Sequence, residues 1–434
     1  MRFFTSLVPI GDLGKIGFLV TMALTRQFSF FMQTLLADFI KDSPSGRHAD
    51  AILRACVHCG FCNATCPTYQ LLGDELDGPR GRIYLIKQAL EGRAVTHKTQ
   101  THLDRCLTCR ACETTCPSGV RYGELLEIGR EIVEHQVKRS PWERIKRWLL
   151  RTVVPYPARF TRLLRLGQML RPLLPKAVQR GIPAYIKTPV WPETNHQRTM
   201  LILEGCAQPA IAPHINAATA RVLDQLGINL RIARGSGCCG ALSQHLSATD
   251  EARNFMRRNI DAWWPFITAG AEAIVTTASG CGVQVKDYGR LLQEDKAYAE
   301  KAARISQLAK DISEILAQEN LTALKPTAGQ GKIAFHSPCT LQHGQKLSGM
   351  VETILSKRGF ILTPVPDAHL CCGSAGTYSI LQKDLSQRLL KTKLHALESG
   401  SPDTIATANI GCLTHLQTQS AVPVRHWIEL LTAG

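Results

Sequence analysis

Gly237-Cys-Cys-Gly240 and Leu370-Cys-Cys-Gly373 carry the same cysteine pair 133 residues apart, and the sequence around each pair follows one plan. The preceding cysteines, Cys206 and Cys339, repeat the 133-residue offset, and the following ones, Cys281 and Cys412, are offset by 131. Each unit opens on an apolar, strand-like run, residues 200–203 or 333–335, that leads to its first cysteine. A helical stretch then stops at Gly227 or Gly359, as helices do at glycine. A second strand pattern follows at 228–233 or 360–365, then Cys-Cys-Gly, then more helix. A third strand at 273–277 or 404–407 runs into Ser279-Gly-Cys281 or Ile410-Gly-Cys412. Strands alternating with helices imply a parallel sheet, and the fixed period makes this a duplicated α/β unit. Every cysteine of the unit follows the C-terminal end of a strand, where open α/β sheets place their ligands.

Working outward, residues 50–135 hold a second duplication. Cys56, Cys59, Cys62 and Cys66 precede Pro67, and Cys106, Cys109, Cys112 and Cys116 precede Pro117, so C-x2-C-x2-C-x3-C-P occurs twice. This spacing is that of bacterial-type [4Fe–4S] ferredoxins. Three cysteines at two-residue intervals wrap a short loop around one cube, and the fourth reaches the other cube. The expected sets are therefore Cys56, Cys59, Cys62 and Cys116 for one cluster, and Cys66, Cys106, Cys109 and Cys112 for the other. Structural zinc uses separated ligand pairs rather than a continuous run of four. The spacer between the runs reads as helical at 82–90 and 102–105, so an α-helical ferredoxin-like domain is expected ahead of the duplicated α/β Cys-Cys-Gly domain. His58 and Phe61, inside the first loop, read as packing and hydrogen bonding around cluster sulfur.

Placed at the ends of three strands, four thiolates of each α/β unit can converge. Cys206, Cys238, Cys239 and Cys281, and Cys339, Cys371, Cys372 and Cys412, are thus candidate ligands for one or two further iron–sulfur clusters, or a redox-active thiol site. The bland alternative is a repeat that keeps the fold without metal. Adjacent cysteines bridge only with strain, which argues against disulfides there. His245, His336, His343, His369 and His415 lie near these cysteines in sequence, and ordinary packing accounts for each taken singly. Trp263 and Trp264 read as core. Gly235-Ser-Gly-Cys-Cys-Gly240 fits G-x-G-x-x-G after a strand, but the second unit keeps its cysteines and not its glycines, so a nucleotide site is not expected. Neither is a flavin on this chain.

The 434 residues, 44% hydrophobic, suit two or three globular domains. Sixteen cysteines, half of them in two tight runs, point to metal rather than a secreted disulfide framework. Thiolates that must stay reduced favour the cytoplasm. The net charge of +16 is concentrated: between residues 138 and 187 thirteen Lys and Arg oppose one acid, Glu143. Trp142, Trp148, Leu149, Leu163 and Met169 interleave with them, and prolines interrupt the run. Such a basic amphipathic segment suits an anionic membrane surface or an acidic partner, or merely a linker covering its neighbours. No nucleic-acid motif accompanies it. In residues 1–31 the longest uncharged stretch, 16–25, is far shorter than the ~20 residues of a spanning helix. Asp12 and Lys15 also interrupt any signal peptide. The division expected is 1–49 as extension and leader with Met32 as the true start, 50–135 as helical cluster domain, 136–195 as basic linker, 196–327 as first repeat and 328–434 as second.

Longer stretches carry a resemblance. Leu53-Arg-Ala-Cys-Val-His-Cys-Gly-Phe-Cys62, Cys66-Pro-Thr-Tyr-Gln-Leu-Leu-Gly-Asp-Glu-Leu-Asp-Gly-Pro-Arg-Gly-Arg-Ile-Tyr84 and Cys116-Pro-Ser-Gly-Val-Arg-Tyr122 resemble the iron–sulfur subunits of bacterial glycolate oxidase (glycolate dehydrogenase). So do Leu203-Glu-Gly-Cys-Ala-Gln-Pro209, Asn259-Ile-Asp-Ala-Trp-Trp-Pro265 and Leu370-Cys-Cys-Gly-Ser-Ala-Gly-Thr-Tyr378. The likeness runs from about residue 32 to the C-terminus. It implies flavin-binding partner subunits that oxidise glycolate to glyoxylate, and a chain that carries their electrons toward a membrane quinone without turnover of its own. It also implies a cytoplasmic place, peripheral to the inner membrane. A wider kinship is with heterodisulfide reductase and anaerobic glycerol-3-phosphate dehydrogenase subunits, which keeps a thiol–disulfide reductase as the alternative. In heterodisulfide reductase each Cys-Cys-Gly unit ends in C-x-x-C. Here Cys281-Gly-Val-Gln284 and Cys412-Leu-Thr-His415 lack the last cysteine, which puts that family's noncubane cluster in doubt.

Overall fold

The computed structural model describes residues 32–175, 179, 181–325 and 331–432. The expected extension at 1–31 and the proposed boundary between the repeats at 327/328 fall outside these residues. The N-terminal part is helical, and its helices begin on explicit signals. Pro44–Ala55 starts with proline behind Ser43, whose hydroxyl accepts from Gly46 N at 2.9 Å. Pro79–Leu90 likewise starts on proline, which suits the first helical position because its missing N–H would be unpaired there. These two helices and Tyr122–Gln136 bury Leu53, Ile86, Leu125 and Leu126 in one apolar cluster, together with Cys56, Cys106 and Cys112.

Each α/β unit is a four-stranded, wholly parallel sheet. In the first, β1 (Arg198–Ile202), β2 (Ile228–Ile232), β3 (Ile274–Thr276) and β4 (Ala309–Asp311) lie in the order β2-β1-β3-β4. In the second, β5 (Lys332–His336), β6 (Ile361–Leu362), β7 (Thr404–Thr407) and β8 (Val424–His426) lie in the equivalent order β6-β5-β7-β8. The register is shared: Leu201 pairs with Ile274 as Ala334 pairs with Ile405. The fourth strands, β4 and β8, follow the last cysteine of their units, outside the repeated cysteine pattern, and are not expected from the sequence. Both end in a capping box, Asp311 with Glu314 and His426 with Glu429, a local signal that marks where a strand yields to a helix. The strand expected over 360–365 shrinks to Ile361–Leu362.

Each unit keeps an apolar cluster of its own, around Trp263 in the first and Leu390 in the second, and a further core joins the two. Met200, Ile215 and Ile312 of the first pack in one cluster with Phe335, Val351 and Trp427 of the second. Polar links reinforce the join: Ser279 N donates to Ala408 O at 3.1 Å, and His426 Nε2 meets Thr277 O at 2.8 Å. The helical part sits on both units, through Arg110 to Asp287 (3.0 Å), Arg290 to Glu127 (3.3 Å), and Thr114 Oγ1 to His343 Nδ1 (2.9 Å). Trp263 is fully buried, stacked on Tyr288.

The basic segment forms two helices, Pro141–Val153 and Pro157–Leu170, with no fully buried residue on either. One edge is tethered: Arg139 and Arg147 pair with Asp104, and Arg151 with Glu251. Trp142, Trp148, Leu163 and Met169 remain exposed. Among the described residues no helix is long and apolar enough to cross a membrane.

Because both sheets share one core, Trp427→Ala should destabilise them together. Loss of a buried Trp costs about 3–5 kcal/mol, so a single thermal transition, lowered as a whole, is expected by calorimetry. Two separated transitions would contradict the shared core.

Candidate iron–sulfur centres

The two cysteine runs fold alike. In each, the third and fifth residues adopt the left-handed conformation: His58 (φ 54°) and Gly60 (φ 84°) in the first, Thr108 (φ 55°) and Arg110 (φ 59°) in the second. This curls three thiols inward, and a short helix, Phe61–Ala64 or Ala111–Thr115, follows. The left-handed state costs an ordinary residue roughly 1–2 kcal/mol, so its recurrence at non-glycine positions marks a loop held by its surroundings. Arg110 is held by Asp287.

The folded loops bring the thiols together crosswise. Cys56, Cys59, Cys62 and Cys116 line one cavity, with Arg80 and Tyr122 on its wall and Cys112 of the second group at its edge. Burial pushes the Cys62 thiol up to about 11, and the charges of Cys56, Cys116 and Cys59 add to the rise. Cys66, Cys106, Cys109 and Cys112 form the second group. Burial drives Cys112 well above the ordinary thiol range, with Cys109, Cys106 and Cys66 adding to it. Burial drives Cys109 up as well, and the next contribution comes from Cys339 of the second α/β unit, ahead of Cys66 and Cys106. Four thiols gathered in each group fit a multivalent cationic centre, which inverts this pKa logic and holds coordinating thiols deprotonated. The donor type and number are those a [4Fe–4S] cluster takes.

Around the second group lies a buried polar network that sequence reading passed over. Arg82, almost wholly buried, donates from Nε to His102 O (2.7 Å) and from Nη1 to Thr68 Oγ1 (3.1 Å), and Nη1 stands 4.0 Å from Cys66 Sγ. Asp77, also buried, accepts from Arg105 (2.8 Å) and faces Arg82 (3.4 Å) and His102 Nδ1 (3.0 Å). Tyr122 Oη reaches Cys106 Sγ at 3.6 Å, and Thr108 N at 3.4 Å. Such hydrogen bonds to sulfur are what tune a cluster's potential. The signal was present in Asp77-Gly-Pro-Arg-Gly-Arg82, where a charged residue enters a proline-started helix, but nothing local tells a buried Arg from a surface one.

In the α/β units every cysteine lies beyond a strand's C-terminal end. Cys206, Cys238, Cys239 and Cys281 form a chain of neighbouring thiols, each perturbing the ionisation of the next. Cys339, Cys371, Cys372 and Cys412 repeat it, with Cys339 and Cys371 Sγ atoms 3.8 Å apart. The glycine after each pair is required. Gly240 and Gly373 have φ near +90°, and a Cβ would meet Ala252 O at 3.0 Å or Ser386 O at 2.7 Å. Gly237 N donates to Asn259 Oδ1 (2.9 Å) and Gly240 N to Cys238 Sγ (3.4 Å), so these amides of the G-x-G-x-x-G loop serve the core and a thiol.

The histidines separate by environment. His343 bridges Thr114 and His369 O, and His415 Nε2 bonds Ser386 Oγ at 3.2 Å. His336 differs: it is buried, neither ring nitrogen has a hydrogen-bond partner, and it groups with Cys372 and Cys412, their ligand atoms within 4.8 Å of one another. Burial, aided by Lys393, pushes its pKa well below the ordinary range, which keeps the ring neutral.

Paired cysteine runs on helices above duplicated Cys-Cys-Gly sheets define an iron–sulfur protein with a twofold cysteine-rich unit. Residues 52–120 match the 4Fe-4S dicluster domain, and residues 200–286 and 333–417 match the cysteine-rich domain. The chain is 59% identical to the glycolate oxidase iron-sulfur subunit of Escherichia coli, over 92% of this chain and 98% of that one. It is 31% identical to the probable glycolate oxidase iron-sulfur subunit of Bacillus subtilis, over 83% and 88%. Lactate utilization protein A of Bacillus licheniformis is 24% identical over 52% of this chain and 96% of its own. The chain belongs to the family of glycolate oxidase iron–sulfur subunits.

Arg82→Leu removes a buried guanidinium that pairs with Asp77 and donates to His102 O and Thr68 Oγ1. Breaking a buried pair in this way costs about 3–5 kcal/mol, so a lower urea midpoint and loss of iron on purification are expected. Arg82→Lys should recover little, since one ammonium cannot replace the guanidinium fork.

Proposed function

We propose that this chain is the electron-carrying subunit of a complex that oxidises glycolate to glyoxylate on separate flavin-binding subunits and delivers the electrons toward a membrane quinone. The observation that carries this reading is the crosswise grouping of eight thiols in a chain of this family. Cys56, Cys59, Cys62 and Cys116 are assigned to one [4Fe–4S] cluster, and Cys66, Cys106, Cys109 and Cys112 to the other, a ferredoxin-like arrangement within residues 50–135. Bound there, the clusters supply one-electron chemistry. The protein's own part is to hold the thiolates, to exclude water from Cys109 and Cys112, and to present donors to sulfur through Arg82, Thr108 N and Tyr122.

The Cys-Cys-Gly thiols of residues 196–327 and 328–434 are assigned as ligands of one or two further iron–sulfur centres. The second unit is favoured because Cys339 and Cys371 pack against Cys109 in one apolar cluster with Leu107 and Tyr378. The flavin belongs to partner subunits, and this chain has no turnover of its own. The same observation gives the alternative, a thiol–disulfide reductase centred on Cys371 and Cys372, its footing. The linker at 136–195 is assigned to the cytoplasmic face of the inner membrane. Arg144, Lys146 and Arg162 make no ion pair among the described residues, and they share its helices with exposed Trp142, Trp148 and Met169.

The purified chain should not oxidise glycolate, and co-expression with flavin subunits should restore dye-linked glycolate oxidation. Oxidation by the chain alone would refute the assignment, and disulfide reduction lost in Cys371→Ser would favour the alternative. Anaerobic iron analysis should give more than the about eight irons of two cubes. The chain should also sediment with phosphatidylglycerol vesicles, less so at high salt; equal binding to neutral vesicles would contradict an electrostatic contact.

A further inference from the structure

The two α/β units hold their four thiols in equivalent places, yet what surrounds those thiols is not equivalent. The shared register puts His336 of β5 where the first unit has Leu203, since Ile202 pairs with Val275 as Phe335 pairs with Ala406. One residue further along each strand therefore faces the metal-ligand end of its sheet: an aliphatic side chain in the first unit, an imidazole in the second. A second difference lies on the helix behind Cys-Cys-Gly. Counting seven residues from the residue that touches the motif's glycine, Ala252 or Ser386, gives Asn259 in the first unit and Lys393 in the second. Asn259 braces Cys238 O at 2.8 Å, and Lys393 Nζ braces Asp367 O at 2.8 Å. The first unit thus brings a neutral amide to its thiols, and the second brings a buried ammonium, a counter-charge for thiolates.

His336 is only 2% exposed, and both its ring nitrogens lack a hydrogen-bond partner. Burying polar nitrogens without partners is unfavourable, and a hydrogen-bonded histidine is the norm in a core. The ring is not far from acceptors by accident of sequence, because it ends a strand whose register fixes its direction. What lies within reach is the pair of thiols of Cys372 and Cys412, all three ligand atoms falling within 4.8 Å of one another. His415, three residues after Cys412, is the replacement that sequence spacing would suggest for a missing fifth cysteine. It is instead occupied by Ser386. The imidazole left for the thiols is His336.

We propose that His336 is a nitrogen ligand, with Cys372 and Cys412, of an iron–sulfur centre in the second Cys-Cys-Gly unit, and that this sets the second unit apart from the all-thiol first. The inference rests on the reading that the second unit holds iron. A neutral imidazole in place of a thiolate lowers the negative charge of a centre and raises its potential, as histidine ligation does in Rieske centres. Next to Cys109, a centre of higher potential than an all-cysteine cube receives electrons rather than donating them. The chain's second unit is then the acceptor end of the path, and its first unit lies off it.

Pulsed EPR of the reduced, anaerobically purified full chain tests this, with one preparation labelled with 15N-histidine. A nitrogen coupling of directly bound imidazole that changes with the label is expected. His336→Cys should abolish it with iron retained and shift one midpoint potential downward, while His415→Ala should leave it. Iron above about eight per chain without nitrogen coupling, or coupling that survives His336→Cys, overturns the ligand role and leaves the loaded second unit standing. Iron of about eight with no other metal overturns both. Zinc bound in place of the extra iron overturns the iron–sulfur centre. Absence of nitrogen coupling in the labelled wild-type spectrum overturns the ligand role even if the variants fail to fold.

Discussion

Four thiols buried at one point repel one another as soon as any of them ionises, and low-dielectric surroundings magnify that repulsion. The rest of this structure is an answer to that constraint. Cys109 and Cys112 are driven far from ionisation by burial, and each feels the other thiols of its group. A multivalent cationic centre resolves the conflict, and the scaffold must then hold the ligands where the centre needs them. It does so in two different ways. In the helical part, left-handed residues at matched positions curl each run. In the sheets, the C-terminal ends of three adjacent parallel strands lead into the cysteines.

The protein adds charge of its own where the thiols are densest. Arg82 lies beside Cys66 and Lys393 beside Cys371 and Cys372, both buried, and each is anchored by hydrogen bonds to backbone oxygens. A fixed cation in a dry site acts far more strongly than one in water. These two residues therefore place fixed positive charge beside the thiols while their backbone bonds fix the loops. The network of Asp77, Arg105 and His102 keeps the Arg82 charge paired without bringing an acid against the sulfur.

The arrangement of the three parts follows from where apolar surface is left over. The two sheets bury their inner faces in one core, with Trp427 and Phe335 from one unit against Met200 and Ile312 from the other. The helical part then docks across both, and its Cys109 loop meets Cys339 and Cys371. That contact joins a ferredoxin-type site to one Cys-Cys-Gly site. The basic helices stay outside this packing, tied by Arg139 and Arg147 to Asp104, and present aromatic and cationic side chains to solvent.

By itself the sequence determined the parallel sheets, their duplication and the two cysteine runs of the 4Fe-4S dicluster domain, because each rests on short spacings or on a repeated pattern. It also determined that cysteines would stand at strand ends. Tertiary structure alone decided the rest. The strands β4 and β8 follow the last cysteine of their units, outside the repeated cysteine pattern, and only pairing with β3 and β7 defines them. Arg82 and Lys393 look like surface residues until helices close over them. His336, one of five histidines that sequence could not rank, is singled out because strand register turns it toward Cys372 and Cys412 and leaves it no other partner. Local spacing can encode which residues form a loop or a strand, but not which buried groups meet when separate elements pack.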